Sequence, residues 1–198
     1  MNLPTPLSVL FLPWNKLTDE QRHREIVRHA QRHGGLAVSL NLRPDFEERV
    51  RQAKVPMRVI SKRMNSEFNR YDLRRLAVLM ALEATRPDGR LHLHGVFIAD
   101  GLSKDRIHEA MRRAVGYIDG RSGSRQIQSK VITNADGWHA YIHKDRRWTR
   151  RLNALVADVR LCWVSHPMTA IVRDSYESRR LGKTLTANFV TAPLAYDA

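Results

Sequence analysis

The chain carries a single cysteine, Cys162, in 198 residues. A disulfide framework within the chain is therefore excluded, and so is a four-cysteine zinc site; this usage fits a reducing, cytoplasmic setting. No apolar run approaches the ~20 residues that a membrane span needs. The stretch Met1 to Leu17 is partly apolar, but it lacks a basic start and a small-residue cleavage pattern and contains Pro4, Pro6 and Pro13. It reads as mature chain and not as a signal peptide. Internal repeats and low-complexity tracts are missing too. Acidic residues are scarce, 20 against 34 Lys and Arg, which gives a net charge of +14. Such a surplus attracts phosphate polymers and releases their counterions, so nucleic acid is the expected partner ahead of an anionic membrane.

Apolar residues make up 42% and charged residues 27% of the chain, as in an ordinary globular domain with a real core. Asp19 to His33 reads as a basic helix ended by Gly34 and Gly35. Leu36 to Leu42 has strand character, and Asp45 to Lys54 reads as a short helix. From Pro56 a helix keeps Met57, Ile60, Met64 and Phe68 on one face. Leu76 to Leu82 is a continuous apolar run, expected as a central strand buried on both faces. Pro87-Asp88-Gly89 supplies a turn, and Leu91 to Ala99 the partner strand. Ser103 caps a helix to about Tyr117. Arg121 to Ser124 reads as a loop, Gln126 to Thr133 as a strand, and Trp138 to about Arg147 as a helix. Leu152 to Leu181 reads as helical with a break near Pro167. This order predicts an α+β fold, an antiparallel sheet with helices against its faces.

The strongest local signal is His92-Leu93-His94. Residues two apart on a strand share a face, so both imidazoles project together while Leu91, Leu93 and Phe97 face the core. If Asp88-Gly89 centres a two-residue hairpin, Glu83 lies opposite His94 and diagonal to His92, within cross-strand reach. A His-x-His on a strand is often only two part-exposed histidines. The added carboxylate makes a metal site an even match for that reading. Two imidazoles and one carboxylate leave coordination positions open, as catalysis needs. The donors suit Mg²⁺ or Mn²⁺ with a phosphate substrate, or Zn²⁺ by affinity.

Downstream, Trp138-His139-Ala140-Tyr141-Ile142-His143-Lys144-Asp145 places Tyr141 and Lys144 on one helical face. A phenol ionises near pH ~10 in the free state and needs electrostatic help to attack a phosphodiester; an ammonium beside it supplies that help. Taken alone, a helical tyrosine is usually packing and a lysine usually solvated. His139 and His143 are spaced like a zinc helix, but Ala140 stands where the His-Glu-x-x-His pattern requires its general base. Both histidines are therefore expected at the surface or facing phosphate. Gly182-Lys183-Thr184 ends like a P-loop, yet Glu177 occupies the position of the required first glycine.

Taken together, Glu83, His92-Leu93-His94-Gly95-Val96-Phe97 and Tyr141-Ile142-His143-Lys144-Asp145 resemble the HUH endonuclease superfamily, specifically its Rep class. In that class a His-hydrophobe-His motif precedes a Tyr-x-x-Lys helix, whereas relaxases place the tyrosine first. The resemblance implies metal ligation by Glu83, His92 and His94, a nucleophile at Tyr141 and the motif lysine at Lys144. Asp145 stands where two-tyrosine relatives carry their second tyrosine, so the single-tyrosine form is implied. The likeness spans Leu36 to Trp148; the family's first motif falls in Leu36 to Leu42, where Ser39-Leu40-Asn41-Leu42 departs from its pattern. It implies a sheet of about five antiparallel strands of RRM-like or ferredoxin-like form, with a nuclease core at residues 36–150 and helical extensions at residues 1–35 and 151–198.

The implied chemistry is metal-dependent nicking and rejoining of single-stranded DNA through a covalent 5′-phosphotyrosine. The freed 3′-hydroxyl would prime rolling-circle replication of a plasmid or phage. The target is an unpaired strand or a hairpin at an origin, and with no helicase fused, a host helicase and polymerase are implied partners. Trp138 and Trp148 are candidate base-stacking residues. Three other readings compete: a single-tyrosine transposase or mobilisation nuclease, a non-catalytic basic DNA-binding protein, and an RNA-binding module. The last needs aromatics on the open sheet face, and neither Leu36 to Leu42 nor Leu76 to Leu82 carries any.

Overall fold

The computed structural model describes residues 12–120, 125–153 and 159–182. The loop expected at Arg121 to Ser124, the start of the Met1 to Leu17 stretch and the Lys183-Thr184 part of the P-loop-like ending lie outside the described residues.

Helix α1 (Asp19–Arg32) starts on a capping box. The Thr18 hydroxyl accepts from the Gln21 N–H, and the Gln21 side chain accepts from the Thr18 N–H at 2.8 Å, pairing two donors that a helix start otherwise leaves free. The helix stops where Gly34 turns to a φ of 66°, a left-handed conformation that a side chain would strain. Strand β1 (Leu36–Asn41) follows. Helices α2 (Pro44–Arg51) and α3 (Pro56–Arg70) each open on a proline, whose missing N–H has no role in a first turn. The remaining elements are β2 (Ala77–Ala84), β3 (Leu91–Ile98), α4 (Lys104–Val115), β4 (Ile127–Val131), α5 (Ala135–His143), α6 (Arg146–Leu152), β5 (Cys162–Val164) and α7 (His166–Arg180).

The fold is α+β. Five strands form one antiparallel sheet in the order β4-β1-β3-β2-β5. The crossover from β1 through α2 and α3 to β2 leaves a slot that β3 fills, the split-βαβ, ferredoxin-like arrangement. Alternation along the strands then divides the core in two. Val38, Leu40, Val78, Met80, Leu82, Leu93 and Phe97 point to one face, where α3 contributes Ile60 and Met64 and α4 contributes Ile107 and Met111. Ala37, Leu79, Ala81, Val96 and Ile98 point to the other, where they meet Ile26 and Val27 of α1, Ile142 of α5 and Val172 of α7. No described helix is long and apolar enough to cross a membrane.

Three expectations need correction. Leu152 to Leu181 is not helical throughout: Cys162–Val164 pairs with β2 as the fifth strand, and α7 begins only at His166. Pro167 does not break that helix but sits in its first turn. The buried Ser165 fixes the junction, donating to the Leu76 carbonyl at 3.1 Å and accepting from the Val78 and Met168 N–H groups. The helix expected over Trp138 to Arg147 is two helices, α5 and α6, with Lys144 and Asp145 between them. The expectation for β2 holds: it is buried along its whole length and paired on both sides, between the middle strand β3 and the edge strand β5.

Candidate metal centre

β2 and β3 pair so that Glu83 stands opposite His92 and Ala81 opposite His94. A two-residue hairpin, the expectation from Asp88-Gly89, would pair Glu83 with His94. The real turn is longer: the Thr85 N–H donates to the Arg90 carbonyl at 2.9 Å, leaving Arg86 to Gly89 as the loop. The register moves by two positions, so every side chain keeps its face. The three predicted ligands therefore still converge.

Glu83, His92 and His94 are all buried, at 4%, 8% and 4% exposure, and their donor atoms form a cluster able to hold a metal ion. The two imidazole Nε2 atoms are 2.7 Å apart. Glu83 Oε1 lies 3.8 Å from His92 Nε2, and Oε2 lies 3.4 Å from His94 Nε2. Oε2 is buried and makes no hydrogen bond among the described residues. A buried carboxylate oxygen in that state is costly unless a cation takes it up.

The outer ring nitrogens each have a partner. His94 Nδ1 is 2.8 Å from the Ser39 hydroxyl, and His92 Nδ1 is 3.4 Å from the Arg90 carbonyl. The carbonyl can only accept, so His92 Nδ1 carries its proton and the His92 Nε2 lone pair faces Glu83, whereas the Ser39 hydroxyl pairs with either tautomer of His94; metal-ligating histidines commonly hold such a partner on the second nitrogen. Burial, the His92 ring and the Lys144 charge push the His94 imidazole down to about 3. Burial lowers His92 as well. Both rings are thus neutral near pH 7, as ligation requires. Burial raises the Glu83 carboxyl against the opposing pull of Lys144.

α5 brings the tyrosine to this cluster. Asn134 caps the helix by accepting from the Gly137 N–H at 2.9 Å, and Ala135 and Ile142 bury its inner face. Trp138 donates its indole N–H to the Gly95 carbonyl at 3.1 Å. Gly95 is required there, because a Cβ would fall inside the van der Waals shell of the Leu79 carbonyl oxygen on β2. The Tyr141 ring stacks on Trp138 at 5.0 Å and meets the His94 ring edge-on at 4.9 Å between centroids. Lys144 Nζ lies 3.6 Å from the centre of the Tyr141 ring and 3.2 Å from Glu83 Oε1. Burial opposes its charge, but Tyr141 and Glu83 outweigh that and raise its pKa. All five predicted site residues are therefore brought together.

The other histidines of α5 are not at the surface, contrary to expectation. His139 is buried at 3% exposure with Nε2 3.2 Å from the Glu20 carbonyl. Both ring nitrogens of His143 are buried. The helix is sandwiched under α1, which a single-helix pattern does not reveal. Trp148 donates to the Thr85 carbonyl at 3.3 Å and packs against the core. Ser39 was not among the predicted site residues. The signal for it was a lone hydroxyl in the apolar run of β1, at a position paired with His94.

Beside Tyr141 a cleft of about 950 Å³ runs along β1 and β4, with Ser39, His108, Ser129, Lys130 and Trp138 in its walls. Lys130 Nζ lies 5.9 Å from the Trp138 ring centre. The cleft joins the tyrosine to a basic, part-aromatic surface. No family model matches the chain, and no curated protein or solved structure matches it either.

Proposed function

We propose that this protein is a single-tyrosine endonuclease of the HUH type that nicks and rejoins single-stranded DNA at an origin of rolling-circle replication. One observation carries the reading: Tyr141 of α5 and Lys144 at its end, far along the chain, stand against the Glu83, His92 and His94 cluster. The net charge of +14 and the cleft beside Tyr141 fit a phosphate polymer as substrate.

Glu83, His92 and His94 would hold a divalent ion, Mg²⁺ or Mn²⁺, with Zn²⁺ admitted by the imidazole donors. When bound, that ion supplies Lewis acidity and charge neutralisation toward a phosphate oxygen. Ser39 keeps the His94 ring in its ligating orientation. The Tyr141 oxygen attacks phosphorus, its proton passing to solvent. The bond from phosphorus to the 3′ oxygen breaks, and that oxygen takes up a proton as a free 3′-hydroxyl. The 5′ side remains on the enzyme as a phosphotyrosine diester. Lys144, already paired with Glu83, steadies the phenolate and the phosphate charge. Reversal by a 3′-hydroxyl reseals the strand, because one phosphodiester is exchanged for another. A host helicase and polymerase would then extend the freed end.

The test is incubation of the protein with Mn²⁺ and a library of single-stranded hairpin oligonucleotides, followed by denaturing electrophoresis. A covalent protein–DNA band that disappears in Tyr141→Phe is expected. No band from any hairpin, with metal shown bound to the protein, would overturn the reading in favour of a binding protein.

A further inference from the structure

A second group of metal-ligating side chains lies on the far side of α5 from the cleft. It draws on three elements. His23 comes from the buried face of α1, His143 from the last turn of α5, and Cys162 from the first position of β5. One donor atom from each lies within 4.8 Å of the other two. Cys162 pairs with Ala81, which in turn pairs with His94. The cysteine therefore shares a face of the sheet with the first cluster, two strands away.

Packing alone does not account for these groups. His23 is buried at 7% exposure, and its Nδ1 makes no hydrogen bond among the described residues. Both nitrogens of His143 are in the same condition. Buried imidazole nitrogens in native proteins ordinarily find a partner. His139, whose ring centroid is 4.7 Å from that of His143, shows the ordinary case with its contact to the Glu20 carbonyl. The His23 and His143 rings stack at 5.3 Å with planes 13° apart. Their terminal torsions are broad, so a modest ring rotation turns a nitrogen of each toward the sulfur. Donors around a tetrahedral zinc ion stand roughly 3.5 Å apart, and the three donor atoms here lie within 4.8 Å of one another.

The cluster is reachable. His23 and Cys162 open on a cavity of about 510 Å³ that also has Asp19 and Arg146 in its wall. Asp19 sits one helical turn before His23 on the same face of α1. Arg22, Arg58, Arg146, Arg150 and Arg160 also line this cavity, and Asp19 pairs with Arg22 and Arg160, so the thiolate is the anionic group that offsets the divalent charge.

We propose that His23, His143 and Cys162 form a second metal site, for a thiophilic divalent cation such as zinc, that ties α1, α5 and β5 together behind the tyrosine. With three protein donors and water in the fourth position, it anchors the helix that carries Tyr141 to the sheet edge. Binding displaces the thiol proton to solvent. The site stands on its own geometry and does not depend on the nuclease reading.

Sulfur separates the two clusters experimentally, since only this one contains it and Cys162 is the only cysteine of the chain. The metal-stripped full-length protein is titrated with Co²⁺ and followed by absorption. A thiolate-to-cobalt charge-transfer band that is displaced by Zn²⁺ is expected, saturating within two equivalents in the wild type, where both clusters take up cobalt, and at one equivalent where the first cluster is removed. It should persist in the His92→Ala/His94→Ala variant and vanish in Cys162→Ser. His143→Ala should weaken binding at the sulfur site roughly tenfold or more, with circular dichroism confirming the fold. Absence of the band from the folded wild-type protein would overturn the proposal, as would undiminished cobalt affinity at sulfur in His143→Ala.

Discussion

On the face of the sheet covered by α3 and α4, β2 and β3 present Val78, Met80, Leu82, Leu93 and Phe97. On the face covered by α1, α5 and α7, the alternate residues of the same two strands include Ala81, Glu83, His92 and His94. Both faces bury an apolar core, but on the first β2 and β3 contribute hydrocarbon alone, while on the second they add a set of polar groups that need specific partners. The first is stabilised by area and close packing. The second is held by Ser39, Lys144 and the Arg90 carbonyl, and under the proposal it is completed by a metal ion. The comparison shows stability and chemistry assigned to opposite sides of one pair of strands.

Substitutions on each side should separate the two roles. The largest effect is expected from Tyr141→Phe. It should reduce covalent adduct formation by a factor on the order of 10³ or more, with metal affinity and unfolding midpoint unchanged; the denaturing gel, a metal titration and a urea curve check all three. Next comes Leu82→Ala on the hydrocarbon face. It should cost about 2–5 kcal/mol in stability, read as a lower urea midpoint, while folded protein at low temperature still binds metal through Glu83, His92 and His94. Ser39→Ala removes a partner of His94 and not a ligand. It should weaken metal binding about 10–100-fold and leave the urea midpoint close to wild type. A result that mixes these columns, such as a Leu82→Ala protein that folds but cannot bind metal, would break the division between the faces.

The smallest effect is one of pH. Burial holds His94 down to about 3 and His29 down to about 4, against an ordinary value of 6.5. Below pH 6.5 the unfolded chain takes up protons that the folded chain refuses. Stability is therefore complete above that pH and lost progressively as the pH falls toward 4 and then 3. Urea midpoints of the metal-free protein between pH 7.5 and 4 (set by buffer) check this, and His29→Gln should flatten the slope.

Much of this was legible without coordinates. The alternation in Leu91 to Ile98 puts both histidines on one face whatever the partner strand does. The helical spacing of Met57, Ile60, Met64 and Phe68 identifies the buried side of α3, and all four are buried. Other features were not legible. The register of Glu83 depended on whether the turn closes on two residues or four, and the Pro87 sequence allows both. β5 was hidden because Cys162–Val164 is too short for a strand period to emerge and gains its identity only by adding to β2. His139 and His143 look like surface residues; His139 is buried and His143 half-buried because α1 lies over them.

The sequence by itself determined the charge, the two faces of each strand and the identity of the groups that meet, because these follow from composition and from periodicities of two and 3.6 residues. Only the tertiary structure decided that they meet. Ser39 contacts His94 across 55 positions of chain, and Lys144 reaches Glu83 from just past the end of α5. Such contacts are set by how α5 wedges between α1 and the sheet, and by a glycine at position 95 that admits the Leu79 carbonyl. Local patterns hold no record of that packing, because it is the cooperative outcome of all the elements at once.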